Sequence, residues 1–95
     1  MHKLDFHIEA EKEYHRLDGS QKILVDKSLK RIKQLGLDAG ETLNGTLHAC
    51  RKLKHKKAGL RVIFRESKIG IEIIAILAIG TREHLSVYKD TEKRI

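Results

Sequence analysis

Proline is absent from this 95-residue chain, tryptophan is absent too, and cysteine occurs once. With no proline, repeat or low-complexity tract to mark a linker, one domain spanning residues 1–95 is expected, near the lower size limit for a core without staples. The lone Cys50 excludes an internal disulfide and fits a reducing compartment. Free cysteine packs mainly as a small hydrophobe, so a buried Cys50 is expected rather than a nucleophile. Phe6, Tyr14, Phe64 and Tyr88 are the only aromatics, too few for a protein that grips single strands by stacking bases on rings. The opening MHKLDFHI has no apolar run like that of a signal peptide, and no segment approaches the ~20 apolar residues of a membrane span. A cytoplasmic chain with no membrane partner is expected. Its six histidines (His2, His7, His15, His48, His55, His84) show no metal-ligand spacing with cysteine or carboxylates. Gly-rich phosphate loops, nucleophile elbows and clustered carboxylates for magnesium are missing as well. Whatever chemistry the chain performs is expected to need no metal or cofactor.

Acidic residues are missing from one stretch in particular. From Thr42 to Arg65 the chain reads TLNGTLHACRKLKHKKAGLRVIFR, with Arg51, Lys52, Lys54, Lys56, Lys57, Arg61 and Arg65 and no Asp or Glu. Residues 1–41 balance eight basic against eight acidic side chains, and residues 66–95 balance five against five, so the formal charge of +7 resides in this segment. Charge kept for solubility would be scattered; charge concentrated this way creates a local positive potential that attracts polyanions. Nucleic acid is the first partner to test, with phosphate contacts favoured over base stacking.

Periodicity organises the rest. Lys3 to Ile8 alternates as a strand, with Leu4, Phe6 and Ile8 on one side. EAEKEYHRLDG follows with Ala10, Tyr14 and Leu17 at helical spacing and a stop at Asp18-Gly19. Ser20 offers an N-cap for SQKILVDKSLKRIKQLG, in which Leu24, Val25, Ser28, Leu29, Ile32 and Leu35 form one stripe and Gly36 stands at the C-cap. A Gly-rich, polar loop from Leu37 to Thr46 leads to three strands, at Ala49–Lys54, Leu60–Glu66 and Ile71–Ile79. The last is apolar on both alternating sets except at Glu72, as expected of a central strand covered on both faces. HKKAG and Lys68-Ile69-Gly70 supply the turns. A short, loosely attached helix from about His84 to Ile95 ends the chain. The expected fold is α+β, β-α-α-β-β-β-α, with an antiparallel-rich sheet and two N-terminal helices on one face.

Side chains two apart on a strand point the same way, so Lys52 and Lys54 share a face. Arg61, Ile63 and Arg65 share another parity, against core-like Leu60, Val62 and Phe64. Antiparallel pairing brings Lys52, Lys54 and Arg61 into one cationic patch. The plainer account of the same residues is a solvated face, or an edge kept from aggregating by lysines. Beyond the most apolar strand the chain reads GTREHLSVY, which sets Arg82, His84 and Tyr88 at a strand exit, where a rigid element can position a site.

The strings CRKLKHKKAGLRVIF and LAIGTREHLSVYKDTEKRI resemble the second half of RelE-type toxins of bacterial toxin–antitoxin modules. The resemblance is close from Cys50 to Ile95 and looser over the β-α-α opening. It rests on a K-L-K strand, a G-x-R strand opening, an I-G-x-R-E strand exit and a V-Y in the last helix. The resemblance implies a ribosome-dependent endoribonuclease that cleaves mRNA in the decoding site through the 2′-hydroxyl, leaving 2′,3′-cyclic phosphate and 5′-hydroxyl ends. Its catalytic residues fall here on Lys52, Lys54, Arg61, Arg82 and Tyr88, with His84 at a place where well-known members carry arginine. Arg61 and Arg82 are expected to stabilise the transition-state charge. Tyr88 is a candidate general base, with Lys52 or Lys54 as rivals. His84 is a chemically easier leaving-group acid than Arg82, because guanidinium hardly yields a proton. Arg51, Lys56, Lys57 and Arg65 are expected to dock ribosomal RNA. The resemblance also implies an antitoxin partner and a free toxin that is monomeric. Two rivals are a ParE-like toxin that inhibits gyrase without nuclease activity, and a basic RNA-binding module without turnover.

Overall fold

A computed structural model describes residues 1–70, 72–81 and 87–95. Strand β1 (Lys3–Phe6) leads into helices α1 (Ile8–Arg16) and α2 (Gly19–Leu35), then β2 (Glu41–Thr42), β3 (Arg51–His55), β4 (Leu60–Glu66), β5 (Ile73–Thr81) and α3 (Val87–Arg94). The strands form one mixed sheet in the order β1-β5-β4-β3-β2. Only β1 and β5 run parallel; the other pairs are antiparallel. The expected α+β order is present with one addition, the two-residue β2 within the expected loop. It pairs Glu41 with Lys52 and Thr42 with Arg51.

Apolar alternation decides which side of the sheet each strand offers. Leu60, Val62 and Phe64 of β4 and Ile74, Ile76 and Ile79 of β5 are buried with Ala10, Val25 and Ile32 under α1 and α2. On the opposite side Ile63, Leu77 and Ala78 are buried with Leu47, Cys50 and Val87. Strand β5 is thus covered on both faces, as its two-sided apolar pattern requires. A bulge between Ile63 and Phe64 takes up the extra residue of β5, so Ile63 faces Ala78 while Phe64 faces Ile76.

Two expectations at element ends change. Ile8 does not extend the first strand: the His7 ring Nδ1 accepts the Glu9 backbone N–H at 3.1 Å and starts α1, leaving Ile8 65% exposed. Helix α2 is capped by Asp18, not Ser20. The Asp18 carboxylate accepts the Gln21 N–H at 2.8 Å and the Gln21 side chain accepts the Asp18 N–H at 3.0 Å, a reciprocal capping box. Ser20 instead donates its hydroxyl to the same carboxylate. At the other end Gly36 caps the helix at φ 60°, beneath the His2 ring, where an added Cβ would lie 2.5 Å from Nε2.

Helix α3 is short, as expected, but firmly attached. Val87 and Thr91 are buried, and Thr46 donates to Glu92 at 3.2 Å. Arg94 forms a two-pronged pair with Glu13 of α1 at 2.8 and 3.1 Å.

Candidate active site

The strand register places the basic residues. Lys54 stands directly opposite Arg61, which stands opposite Gly80; in the next row Lys52 faces Ile63, which faces Ala78. Directly paired residues share a face. Lys52, Lys54 and Arg61 therefore project from the side that buries Ile63 and Ala78, away from α1 and α2. Lys54 is exposed, whereas Lys52 and Arg61 are half-buried. The same face receives α3: Tyr88 is half-buried and packs against the Ile63–Ala78 cluster, and Val87 sits inside it.

Gly80 explains how the helix comes so close. A Cβ at Gly80 would lie 3.0 Å from Val87 Cγ2 and 3.1 Å from Val87 Cβ, so the missing side chain lets α3 rest on β5 beside Arg61. The Arg61 Nε is buried and has no hydrogen-bond partner among the described residues. A guanidinium nitrogen removed from water without an acceptor is costly to maintain.

The remaining basic residues separate. Arg51 lies opposite Phe64, on the helix-covered side, and donates Nη1 to the Leu37 carbonyl at 3.2 Å. Arg65 lies opposite Ala75, which packs against the Tyr88-bearing cluster, so it shares that face at the end remote from Lys54. Its Nε donates to the Glu66 carbonyl. Lys56 and Lys57 occupy the exposed turn between β3 and β4. Cys50 is fully buried, and that burial pushes its thiol up against the opposing influence of Arg65. Arg82 and His84 lie outside the described residues. Two contributors have roles that the sequence does not disclose: Gly80, the glycine of the I-G-x-R-E string, which matters only through α3, and the Glu13–Arg94 pair, whose members stand near opposite ends of the chain.

No family model matches the chain. The mRNA interferase toxin RelE of Escherichia coli (strain K12) is 27% identical over 94 residues, covering 97% of this chain and 95% of its own length. A free-state double arginine-to-alanine mutant of E. coli RelE superposes with a TM-score of 0.80 at 24% identity, across 99% of this chain and 97% of the other. The fold is RelE-like. The RelE-like fold persists in structures solved with antitoxin. An E. coli RelE mutant bound to a peptide of the antitoxin RelB gives a TM-score of 0.72 at 25% identity, over 99% and 97% of the two chains. The intact E. coli RelBE complex gives 0.71 at 22%, over 85% and 96%. This chain of RelE-like fold has, among its described residues, no helix long and apolar enough to cross a membrane.

Proposed function

We propose that residues 1–95 form a single RelE-like toxin domain of a type II toxin–antitoxin module, an endoribonuclease that cleaves mRNA in the ribosomal decoding site and so stops translation. The observation that carries this reading is the cross-strand row Lys54–Arg61–Gly80, with Lys52 one row away and Tyr88 of α3 packed on the same face. Three basic side chains and one tyrosine thus belong to a single face of the sheet. RNA contributes its own nucleophile, so the reaction needs no metal-bound water.

In the reaction, the ribose O2′ loses its proton and bonds to the adjacent phosphorus. The P–O5′ bond breaks, the leaving oxygen takes up a proton, and the products carry a 2′,3′-cyclic phosphate and a 5′-hydroxyl. Negative charge grows on the non-bridging oxygens during attack. Arg61, half-buried and held in the strand row, is a preorganised cation for it. Lys52 and Lys54 hold the flanking phosphates, and one of them in its neutral amine form, or Tyr88 as the phenolate, takes the O2′ proton. Arg82 adds charge at the strand exit and His84 returns a proton to O5′; both assignments rest on the sequence resemblance. Arg65, Lys56 and Lys57 dock ribosomal RNA, with Arg51 held further back by Leu37. The free toxin is a cytoplasmic monomer, neutralised by an antitoxin that covers it, as the named RelBE complexes support.

Cleavage-site mapping on translated messages tests the reading, using wild type and single Arg61→Ala, Arg82→Ala and Tyr88→Ala variants. The expected result is cyclic-phosphate ends from wild type and a loss on the order of 10²–10³ in rate for each variant. Undiminished activity in all three rejects the site. Inhibited gyrase supercoiling without RNA cleavage would identify the ParE-like alternative, and RNA binding without new ends the non-catalytic one.

A further inference from the structure

Strand β1 pairs with β5 only from Ile73 to Ile76, and the His7 N–H closes that ladder on the Ile76 carbonyl at 2.9 Å. Past that point the outer edge of β5 has no neighbouring strand among the described residues. Two side chains satisfy it instead. Glu13, reaching from α1 on one side of the sheet, accepts the Ile79 N–H on Oε1 at 3.1 Å. Arg94, reaching from α3 on the other side, donates Nη1 to the Leu77 carbonyl at 2.9 Å. The two then close on each other through both terminal guanidinium nitrogens and both carboxylate oxygens. Their side chains are only 12% and 19% exposed, for Arg94 and Glu13 respectively, so this is no ordinary surface ion pair.

We propose that Glu13 and Arg94 are positioning residues for the RNA-cleaving site, a clasp round the β5 edge that fixes the angle of α3 and with it the place of Tyr88 beside Arg61. The inference rests on the nuclease reading above. An eight-residue helix is too short to hold its own orientation. Val87 against Gly80, buried Thr91 and the Thr46–Glu92 hydrogen bond hold α3 to its own side of the sheet. Arg94, about 10 Å beyond Val87 at 1.5 Å per residue, adds the tie from the helix end round the β5 edge to α1, and so sets the angle at which α3 lies. Tyr88 is next to Val87, so any change in that angle alters its reach toward the row formed by Lys54, Arg61 and Gly80. The Glu13 hydrogen bonds hold the Arg94 guanidinium above its ordinary pKa.

The experiment uses full-length chain carrying Tyr14→Phe, which leaves Tyr88 as the sole tyrosine. Into it go Glu13→Gln, Arg94→Lys and Arg94→Ala. Four quantities are read: the melting temperature, acrylamide quenching of Tyr88 fluorescence, affinity for ribosomes, and single-turnover cleavage of a ribosome-bound message. The clasp predicts increased quenching, ribosome affinity changed by less than about threefold, and cleavage reduced roughly 10- to 100-fold, the cost of a small misplacement remote from the reacting atoms. Arg94→Lys, which keeps the charge but not the fork, falls between wild type and Arg94→Ala. Cleavage at the parental rate in folded Arg94→Ala, or quenching unchanged in every variant, overturns the proposal. If Arg94→Ala does not fold, Glu13→Gln and Arg94→Lys decide by the same two measures. If the parental protein cuts no message, the nuclease reading fails by itself, and quenching alone decides whether the clasp sets Tyr88.

Discussion

Val87 rests directly on Gly80: a methyl group at position 80 would stand 3.0 Å from Val87 Cγ2. The glycine at the strand exit is thus a seat for α3. Gly80→Ala forces the helix outward or the Val87 side chain off its rotamer, at a cost of about 1–3 kcal/mol for overpacking. Denaturant titration is expected to show that loss, and Val87→Ala placed in the same chain is expected to recover part of it. Losses that simply add in the double variant would show that the two residues do not press on each other.

Arg61 contributes geometry as well as charge. Arg61→Lys keeps the positive charge but removes the planar fork and the buried Nε, so cleavage is expected to fall on the order of 10²-fold while ribosome binding changes little. Lys54→Arg, at the exposed partner across the strand pair, is expected to be far milder. Rate measurements at saturating ribosomes separate the two, and equal losses would argue that only the summed charge matters.

The cap of α2 gives a pH dependence. The Gln21 N–H, then the Ser20 hydroxyl, favour the ionised Asp18 carboxylate and hold it below the usual carboxylate range. A depressed folded value means the cap stabilises the fold at every pH above the unfolded value, about 4, and is lost as acid protonates the folded carboxyl. Thermal midpoints of wild type are expected to decline below that pH more steeply than those of Asp18→Asn. Parallel acid limbs would remove Asp18 from the account.

Cys50 is fully buried with its thiol shifted upward by desolvation. Labelling of native protein with iodoacetamide at neutral pH is therefore expected to be slow and to accelerate with denaturant along the global unfolding curve. Rapid labelling of folded chain would show that the region around Leu47 and Cys50 opens separately.

Much of this architecture is legible in the residues. Strand β4 occupies Leu60–Glu66 as its alternation predicts, and the stripe on α2 buries Val25 and Ile32 at its centre. The shared face of Lys52, Lys54 and Arg61 follows from strand parity and one turn length. Other features are not local. Glu41–Thr42 becomes a strand only because β3 is there to pair with it. Asp18 outcompetes Ser20 as a cap because Gln21, three residues on, reaches back to it, a relation seen only when both ends of the box are read together. Glu13 and Arg94 each look like one more surface charge on a helix. Their partnership exists only after β1 stops short and leaves the edge of β5 for them to close.

The parallel pairing of β1 with β5 joins Lys3 to Ile73, 70 positions apart in a chain of 95. Such distant partners make assembly slow compared with hairpins, because the first strand waits unpaired while the middle of the chain is made. Both β5 and α3 lie in the final quarter of the sequence. A nascent chain that has not yet extruded these two elements therefore lacks both the strand that carries Gly80 and the helix that carries Tyr88, and the row of Lys54 and Arg61 stands at an open sheet edge until they arrive.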